Sequence, residues 1–237
     1  MKSIRIADVE SVLPSRSPRL EGFPALRELT LCAFSFDGTV AWPEFLHLIK
    51  LRFEHCLFSH YEDLTQILPR TCPTLACLEL LKTRGAFRSN GSELPAFLSE
   101  SLQEFWIEDC WPFSFGQPFQ SYNSLQIFHA DRDLFLKAMP FLPQGIRSIS
   151  IAVPISIARS APDYSELEAC LRVTSRKLPL LESVEVVGDS EYPLLHDVRG
   201  LEDSLEQQDI SLIVKRIKRD RHKSKSVDAD TPVYLIN

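Results

Sequence analysis

The residues that could carry catalysis do not fall into a catalytic spacing. The eight glycines form neither a G-x-G-x-x-G loop nor a phosphate-binding loop, and no G-x-S-x-G turn that would expose a serine nucleophile is present. The H-E-x-x-H zinc motif is also missing from the sequence. We therefore predict no catalytic residues and no cofactor, and we interpret the chain as a protein without enzymatic activity.

Two groups of histidine and cysteine residues could be imagined as metal ligands. They are His55-Cys56 with His60, and Cys72 with Cys77. Neither has the paired C-x2-C spacing of a structural zinc site, so we predict no metal site. The N-terminus has no signal-peptide pattern, and the six cysteines then favour free thiols in a reducing compartment. No apolar run is long enough for a transmembrane helix, and we expect a cytoplasmic or nuclear protein.

An apolar-x-x-apolar-x-apolar pattern recurs along the chain and predicts the elements that would position any functional residue. Clear copies lie at 26–31, 48–53, 75–80, 102–107, 125–130, 146–151 and 181–186, with weaker copies at 4–6 and 210–212. Successive middle positions are 21 to 27 residues apart, except for one step of 35 from 149 to 184. This period is typical of leucine-rich repeats. The pattern predicts an α/β leucine-rich-repeat solenoid (a horseshoe) with parallel strands on the concave face and helices on the convex face.

The segments between the predicted strands carry helical spacing where they are long enough. We predict helices over 61–68, 131–142, 163–178 and 195–208, the third of them in the long step. Cys56, Thr83 and Cys110 follow three strands at the same distance, and we expect them to satisfy backbone groups in the turns that leave those strands. The predicted repeat domain is 1–214, with seven clear repeats and two weak terminal ones. Residues 215–237 are predicted to be a basic, flexible tail.

Three phrases before predicted strands resemble the leucine-rich-repeat region of F-box proteins, especially divergent fungal ones. They are Phe23-Pro24-Ala25-Leu26, Cys72-Pro73-Thr74-Leu75 and Leu178-Pro179-Leu180-Leu181, and the irregular repeat lengths fit as well. The resemblance covers 4–214 and implies a substrate receptor of an SCF-type ubiquitin ligase. A recognisable F-box does not precede the first strand, and a ligase scaffold is expected as a partner only if an F-box is missing from this chain. Either a truncated gene product or a stand-alone repeat protein fits the pattern.

The side chains that alternate with the apolar positions would line the concave face. The central positions of this face are Thr30, Arg52, Glu79, Trp106, His129, Ser150 and Glu185. We predict a partner-binding site around Trp106 because tryptophan and arginine are enriched at interface hot spots. Its predicted members are Arg52, Glu79, Glu104, Trp106, Glu108 and His129. Their acidic character favours a protein of basic or mixed charge over nucleic acid.

The C-terminal segment is basic, and two alternative functions also fit the sequence. Seven basic residues could form a nuclear localisation signal or a solvated extension: Lys215, Arg216, Lys218, Arg219, Arg221, Lys223 and Lys225. One alternative function is an enzyme regulator of the repeat-type GTPase-activator kind, for which Arg27 and Arg52 are the central candidates. The other is a truncated paralogue without function.

Overall fold

The computed structural model describes residues 3–7, 25–36, 45–60, 68, 72–86, 101–110, 115, 119–120, 122–153, 165–189, 199–217 and 233–235. The chain divides into two compact units. Unit 1 comprises residues 1–114 and 225–237, and unit 2 comprises residues 115–224. Within the described residues, none of the helices combines the length and the apolar character needed to span a bilayer.

The described elements alternate between short strands and connecting segments, and together they form a mixed α/β structure. The strands are β1 Ser3–Ala7, β2 Glu28–Cys32, β3 Ser35–Phe36, β4 Lys50–Glu54, β5 Leu57–His60, β6 Cys77–Leu81, β7 Arg84–Ala86, β8 Glu104–Glu108, β9 Ile127–Asp131, β10 Ser148–Ala152, β11 Ser183–Asp189, β12 Ser211–Ile217 and β13 Val233–Leu235. The α-helices are α1 Arg132–Ala138, α2 Ser165–Lys177 and α3 Arg199–Glu206, and a 3-10 turn, Met139–Phe141, follows α1.

Unit 1 is built on a parallel sheet in the order β8-β6-β4-β2-β1-β13. Its middle apolar residues lie in one row, because Leu29 pairs with Leu51, Leu51 with Leu78, and Leu78 with Phe105. These four side chains are at most 1% exposed. The period of two along each strand turns one face of the sheet into the core and the other face outward. The predicted repeat register is therefore confirmed across these strands.

A second sheet of unit 1, in the order β3-β5-β7, was not predicted from the sequence. The residue directly after each of β2, β4, β6 and β8 is left-handed, with φ of 61° at Ala33, 55° at His55, 53° at Lys82 and 50° at Asp109. These turns redirect the chain away from the first sheet. Three aromatic rings then join the two sheets: those of Phe36 and Phe58 stack at 5.0 Å, and Phe53 meets the Phe58 ring edge-on at 5.2 Å.

Unit 2 contains a parallel sheet in the order β12-β11-β10-β9, with helices in its connections. Asp131 ends β9 and caps α1, since its carboxylate accepts a hydrogen bond from the backbone N–H of Leu134 at 2.9 Å. The predicted helix over 131–142 is confirmed as α1 and the 3-10 turn. The predicted helix over 163–178 is confirmed as α2, the longest described helix, and that over 195–208 as the shorter α3. The helix predicted over 61–68 lies outside the described residues apart from residue 68.

The predicted position of the last repeat is wrong. Ile210 was taken as the middle apolar position of the last repeat, but Val184 of β11 pairs with Leu212. The boundary after residue 214 also falls inside β12, which continues to Ile217. The apolar alternation of Leu212 and Val214 reaches the predicted boundary. The strand then continues through Lys215 and Arg216 in the same extended backbone. Residues 218–232 of the predicted tail lie outside the described residues, and β13 lies further along it.

Candidate interaction surface

The outward side of the β2, β4, β6 and β8 strands forms a continuous polar surface, which we call the Trp106 face. Its members are Glu28, Thr30, Cys32, Lys50, Arg52, Glu54, Cys77, Glu79, Leu81, Glu104, Trp106 and Glu108. They form three rows that run across the sheet, with one residue from each strand in each row. The central row is Thr30, Arg52, Glu79 and Trp106, as the sequence predicted. Five glutamates face two basic side chains, so the surface carries an excess of negative charge.

Glu79 lies at the centre of an ion cluster on this face. One carboxylate oxygen is 2.5 Å from Lys50 Nζ, and the other accepts a hydrogen bond from Arg52 Nη1 at 3.2 Å. Arg52 Nη2 also donates to Glu54 at 3.2 Å. The Glu79 side chain is only 7% exposed, whereas the side chains of Arg52 and Lys50 are 34% and 41% exposed. A buried carboxylate of this kind requires paired cations, because isolated burial of a charge is costly.

Burial and the charges of this cluster shift the pKa values of Lys50 and Cys77. Burial lowers the pKa of Lys50, but the hydrogen bond and the charge of Glu79 outweigh this effect and leave the pKa above its ordinary value. Burial raises the pKa of the Cys77 thiol to about 12, and the nearby carboxylates of Glu79 and Glu104 add to the rise. At neutral pH the face therefore presents charged lysine and arginine beside a neutral thiol.

The outward side of strand β8 carries one large aromatic side chain between two carboxylates. Glu104, Trp106 and Glu108 are all half-buried, and all three lie on the outward side of β8. Trp106 lies directly opposite Glu79 on β6. Cations bind the carboxylate of Glu79, and the carboxylates of Glu104 and Glu108 lie on either side of Trp106 along β8. The result is an apolar anchor point with a negative rim.

The structure does not bring every predicted partner-binding residue to one accessible place. Glu79 and His129 were predicted to be exposed, and this is wrong, since each is 5% exposed. His129 belongs to unit 2, where its Nδ1 lies 2.9 Å from Ser150 Oγ. Ser150 also donates to Glu185 at 3.4 Å. Neighbouring polar side chains on adjacent strands cover one another, which the alternation within a single strand cannot reveal.

The sequence prediction missed Lys50, which the strand register would have indicated. Lys50 was not among the site residues predicted from the sequence. In the strand register, Lys50 lies diagonally across from Glu79 and Arg52 lies directly opposite Glu79. Opposite charges at these cross-strand positions are a signal of pairing once the register is known. Arg52, a candidate for a GTPase-activator role, is bound to two carboxylates, and Arg27 is exposed.

The turn residues after the strands have the structural role that was predicted. Cys56 Sγ donates to the backbone oxygen of Leu31 on the preceding strand at 3.3 Å. Cys110 Sγ does the same to Leu80 at 3.3 Å, and Thr83 Oγ1 lies 3.0 Å from the Cys110 sulfur. Burial raises the pKa of the Cys56 thiol to about 12. These groups form a ladder that ties each repeat to the one before it.

A second ladder lies where the strands begin. Thr74 Oγ1 donates to the backbone oxygen of Leu48 at 2.9 Å, and Ser101 Oγ donates to Leu75 at 2.9 Å. Thr74 and Ser101 each precede the middle apolar residue of their strand by four positions. Equivalent residues therefore make equivalent contacts in successive repeats.

The cysteines and histidines that were weighed as metal ligands are described in part. None of the six cysteines forms a disulfide bond, which agrees with the predicted free thiols. The side chain of His60 lies outside the described residues. Across the described part of the chain, no group of three or more histidine, cysteine, aspartate or glutamate side chains is arranged to hold a metal ion.

The predicted localisation residues are divided between described and undescribed parts of the chain. Lys215 and Arg216 lie in β12, and Lys215 Nζ is 2.6 Å from a carboxylate oxygen of Glu185 on β11. The other five, from Lys218 to Lys225, lie outside the described residues.

Comparison with known proteins adds no family to this picture, because no family model and no curated protein matches the chain.

Proposed function

We propose that the protein is a leucine-rich-repeat interaction module whose Trp106 face binds a basic peptide segment of a partner protein. The observation that carries this proposal is the outward side of β8, with Trp106 between Glu104 and Glu108. Tryptophan supplies a large apolar contact area at low conformational cost and is enriched at binding hot spots. Lysine or arginine side chains of the partner would pair with the two flanking carboxylates.

The repeat character of the proposal is supported by recurrent contacts. Parallel strands pair in register at a repeat spacing, a left-handed residue follows four of them, and side-chain ladders join successive repeats. Such units cannot bury their apolar residues alone and stabilise one another by stacking. A horseshoe with the Trp106 face on its concave side is the arrangement that we infer from this repetition.

The size of the face favours a peptide over a globular domain. Four strands spaced by about 4.8 Å, with five residues each rising about 3.3 Å, cover a projected area on the order of 300 Å². A specific interface between globular proteins buries roughly 800 Å² on each partner. A short segment with an apolar side chain for the indole and two or three cations matches this face better.

The resemblance to F-box receptors suggests the wider role of such binding. In that role the bound segment would belong to a substrate, and ubiquitin-ligase scaffold subunits would enter the same complex. The engagement of Arg52 with both Glu54 and Glu79 disfavours the alternative in which this arginine acts on a bound nucleotide.

The test is an array of immobilised peptides that contain lysine or arginine beside one aromatic or aliphatic residue. We expect peptides captured by the wild-type chain to bind at least ten times more weakly to Trp106→Ala and to Glu104→Lys/Glu108→Lys. Leu57→Ala is the matched control, because Leu57 is a large side chain of unit 1 that is 53% exposed on a different sheet. Equal binding by all variants would reject the proposal. Thermal unfolding of each variant separates loss of binding from loss of structure.

A wider capture experiment addresses the ligase role. The full chain is used as bait, with Trp106→Ala as the reference. Scaffold subunits recovered with both baits, together with partners recovered only with the wild type, would support a substrate receptor. Partners without any scaffold subunit would support a stand-alone interaction module.

A further inference from the structure

The last strand of unit 2 differs from its predecessors in how well it is covered. In each of β2, β4, β6, β8, β9, β10 and β11, the two inward apolar residues are at most 1% exposed. Leu212 and Val214 occupy the same positions in β12, paired with Val184 and Val186, yet both are only half-buried. On the other side of the strand, Ile213 is 40% exposed. The apolar positions of β12 are therefore available for further contact.

The backbone of β12 also has an open side. Ser211 N–H donates to the backbone oxygen of Glu182 at 3.0 Å, which directs the peptide groups of Ser211 toward β11. Because backbone groups alternate along a strand, Leu212, Val214 and Arg216 direct theirs to the opposite side. Among the described strands, none pairs with β12 on that side. An edge of this kind is a template for another strand.

The length of the edge argues that it is used. Natural proteins shorten or interrupt edge strands to avoid unwanted pairing. β12 has seven residues, like its neighbour β11 and unlike the five-residue strands β8 to β10, so this edge strand is not shortened. It contains no proline, and its basic residues, Lys215 and Arg216, are confined to its C-terminal half.

Charge identifies the kind of segment that fits. Lys215, which is paired with Glu185, and Arg216 lie in the strand, and Lys218 and Arg219 follow it in the sequence. Residues 215–225 together carry seven basic side chains and one aspartate. Parallel pairing between two copies of β12 would bring two such clusters together, and like charges on paired strands are destabilising. An acidic segment has the complementary charge.

We propose that β12 is a docking edge for an extended acidic segment of another protein, bound by strand addition. The incoming backbone would pair with the outward peptide groups of Leu212 and Val214, its apolar side chains would cover these two residues, and its carboxylates would meet the basic end of the strand. This surface belongs to unit 2, whereas the Trp106 face belongs to unit 1, and the proposal does not depend on the function proposed above.

The test uses fluorescence anisotropy with the full chain and a seven-residue labelled peptide that alternates glutamate and valine. We expect it to bind at least ten times more tightly than the same peptide with lysine in place of glutamate. The affinity should fall as salt is added, since the pairing charges are exposed. Failure of the acidic peptide to bind, or equal binding of both peptides, would overturn the proposal.

Two changes to the backbone separate strand addition from simple charge attraction. N-methylation of alternate peptide residues removes the donors of one edge without changing side chains, so methylation of the edge that faces β12 should weaken binding at least ten-fold. The protein variant Val214→Pro removes an outward donor while leaving the bonds to β11 in place, and it should have a similar effect. The methylated peptide meets the wild-type protein, so this arm holds even if the proline variant fails to fold.

Two further outcomes would also overturn the proposal. If Trp106→Ala abolished binding of the acidic peptide and Val214→Pro did not, the peptide would occupy the other surface. If the wild-type chain self-associated in sedimentation experiments and Val214→Pro did not, the occupant of the edge would be a second copy of this chain.

Discussion

Glu79 and Trp106 lie directly opposite each other on the neighbouring parallel strands β6 and β8. The first is 5% exposed and held by Lys50 and Arg52, and the second is half-buried between two glutamates. The two residues occupy equivalent positions in successive repeats but have different surroundings. One supports the sheet, and the other offers an apolar surface.

Replacement of Glu79 should cost stability through the cations that it leaves behind. Glu79→Gln removes the charge that binds Lys50 and Arg52, and we expect the free energy of unfolding to fall by about 2 kcal/mol, the scale of hydrogen bonds to charged groups. Urea unfolding measures the change. Glu28→Gln, at an exposed position of the same face, should stay within about 0.5 kcal/mol. Equal effects of the two changes would contradict the central role of Glu79.

The Cys56 thiol should contribute to stability through the turn that it closes. Cys56→Ala removes the hydrogen bond to Leu31 and leaves a small void at a fully buried position, and a loss of about 1–2 kcal/mol is expected. Cys170→Ala, at a half-buried position on α2, is the matched control and should cost less. Denaturant unfolding of both variants under reducing conditions makes the comparison. A Cys56 variant as stable as the control would argue against the ladder.

Stability should fall in alkaline solution. The pKa values of Cys56 and Cys77 are raised to about 12 by burial, so the folded chain holds these protons at a pH at which the unfolded chain has lost them. Their contribution is complete below about pH 8.5, the ordinary cysteine pKa, and is lost progressively up to about pH 12.

Unfolding by urea between pH 8 and pH 11 measures this loss. Each thiol should contribute a slope of up to about 1.4 kcal/mol per pH unit, and Cys77→Ala should remove one such contribution. The raised pKa of Lys50 acts in the same direction, and its contribution to stability is lost only above the ordinary lysine pKa. An unchanged slope in Cys77→Ala would show that this thiol is not protected in the folded state.

Gly145 should tolerate no side chain. A Cβ atom at this position would lie 2.6 Å from the backbone oxygen of Asn123 and 3.2 Å from that of Leu125. Because these are backbone atoms, the strain cannot be relieved by a side-chain rotation, and Gly145→Ala should cost about 1–3 kcal/mol. Thermal unfolding reports the change, with Gln144→Ala, at the exposed neighbouring position, as the control. A melting temperature equal to that of the control would contradict this close approach.

Much of the strand pattern could be predicted, because it depends on local alternation. Leu29 and Leu31 must share one side of a strand, and Thr30 must face the other, whatever surrounds them. The prediction failed at the last repeat, where Ile210, Leu212 and Val214 all fit an apolar alternation. The choice of Leu212 as the partner of Val184 required the neighbouring strand. The sheet of β3, β5 and β7 was also missed, since its strands have only two to four residues.

The candidate site was predicted in its position but not in its exposure. Arg52, Glu104, Trp106 and Glu108 lie on the predicted side of their strands, and their contact with a partner stays a prediction. Lys50 became part of the site only through its contact with Glu79. His129 lies in unit 2 and is only 5% exposed.

The sequence by itself determined which side chains share a face and which equivalent residues meet in successive repeats, because a two-residue period and a regular spacing leave little choice. Only the tertiary structure decided which polar residues of that face are accessible. Accessibility depends on the side chains that adjacent strands bring within a few ångströms, and those neighbours lie more than 20 residues away in the sequence, as Glu79 does from Arg52 and Trp106.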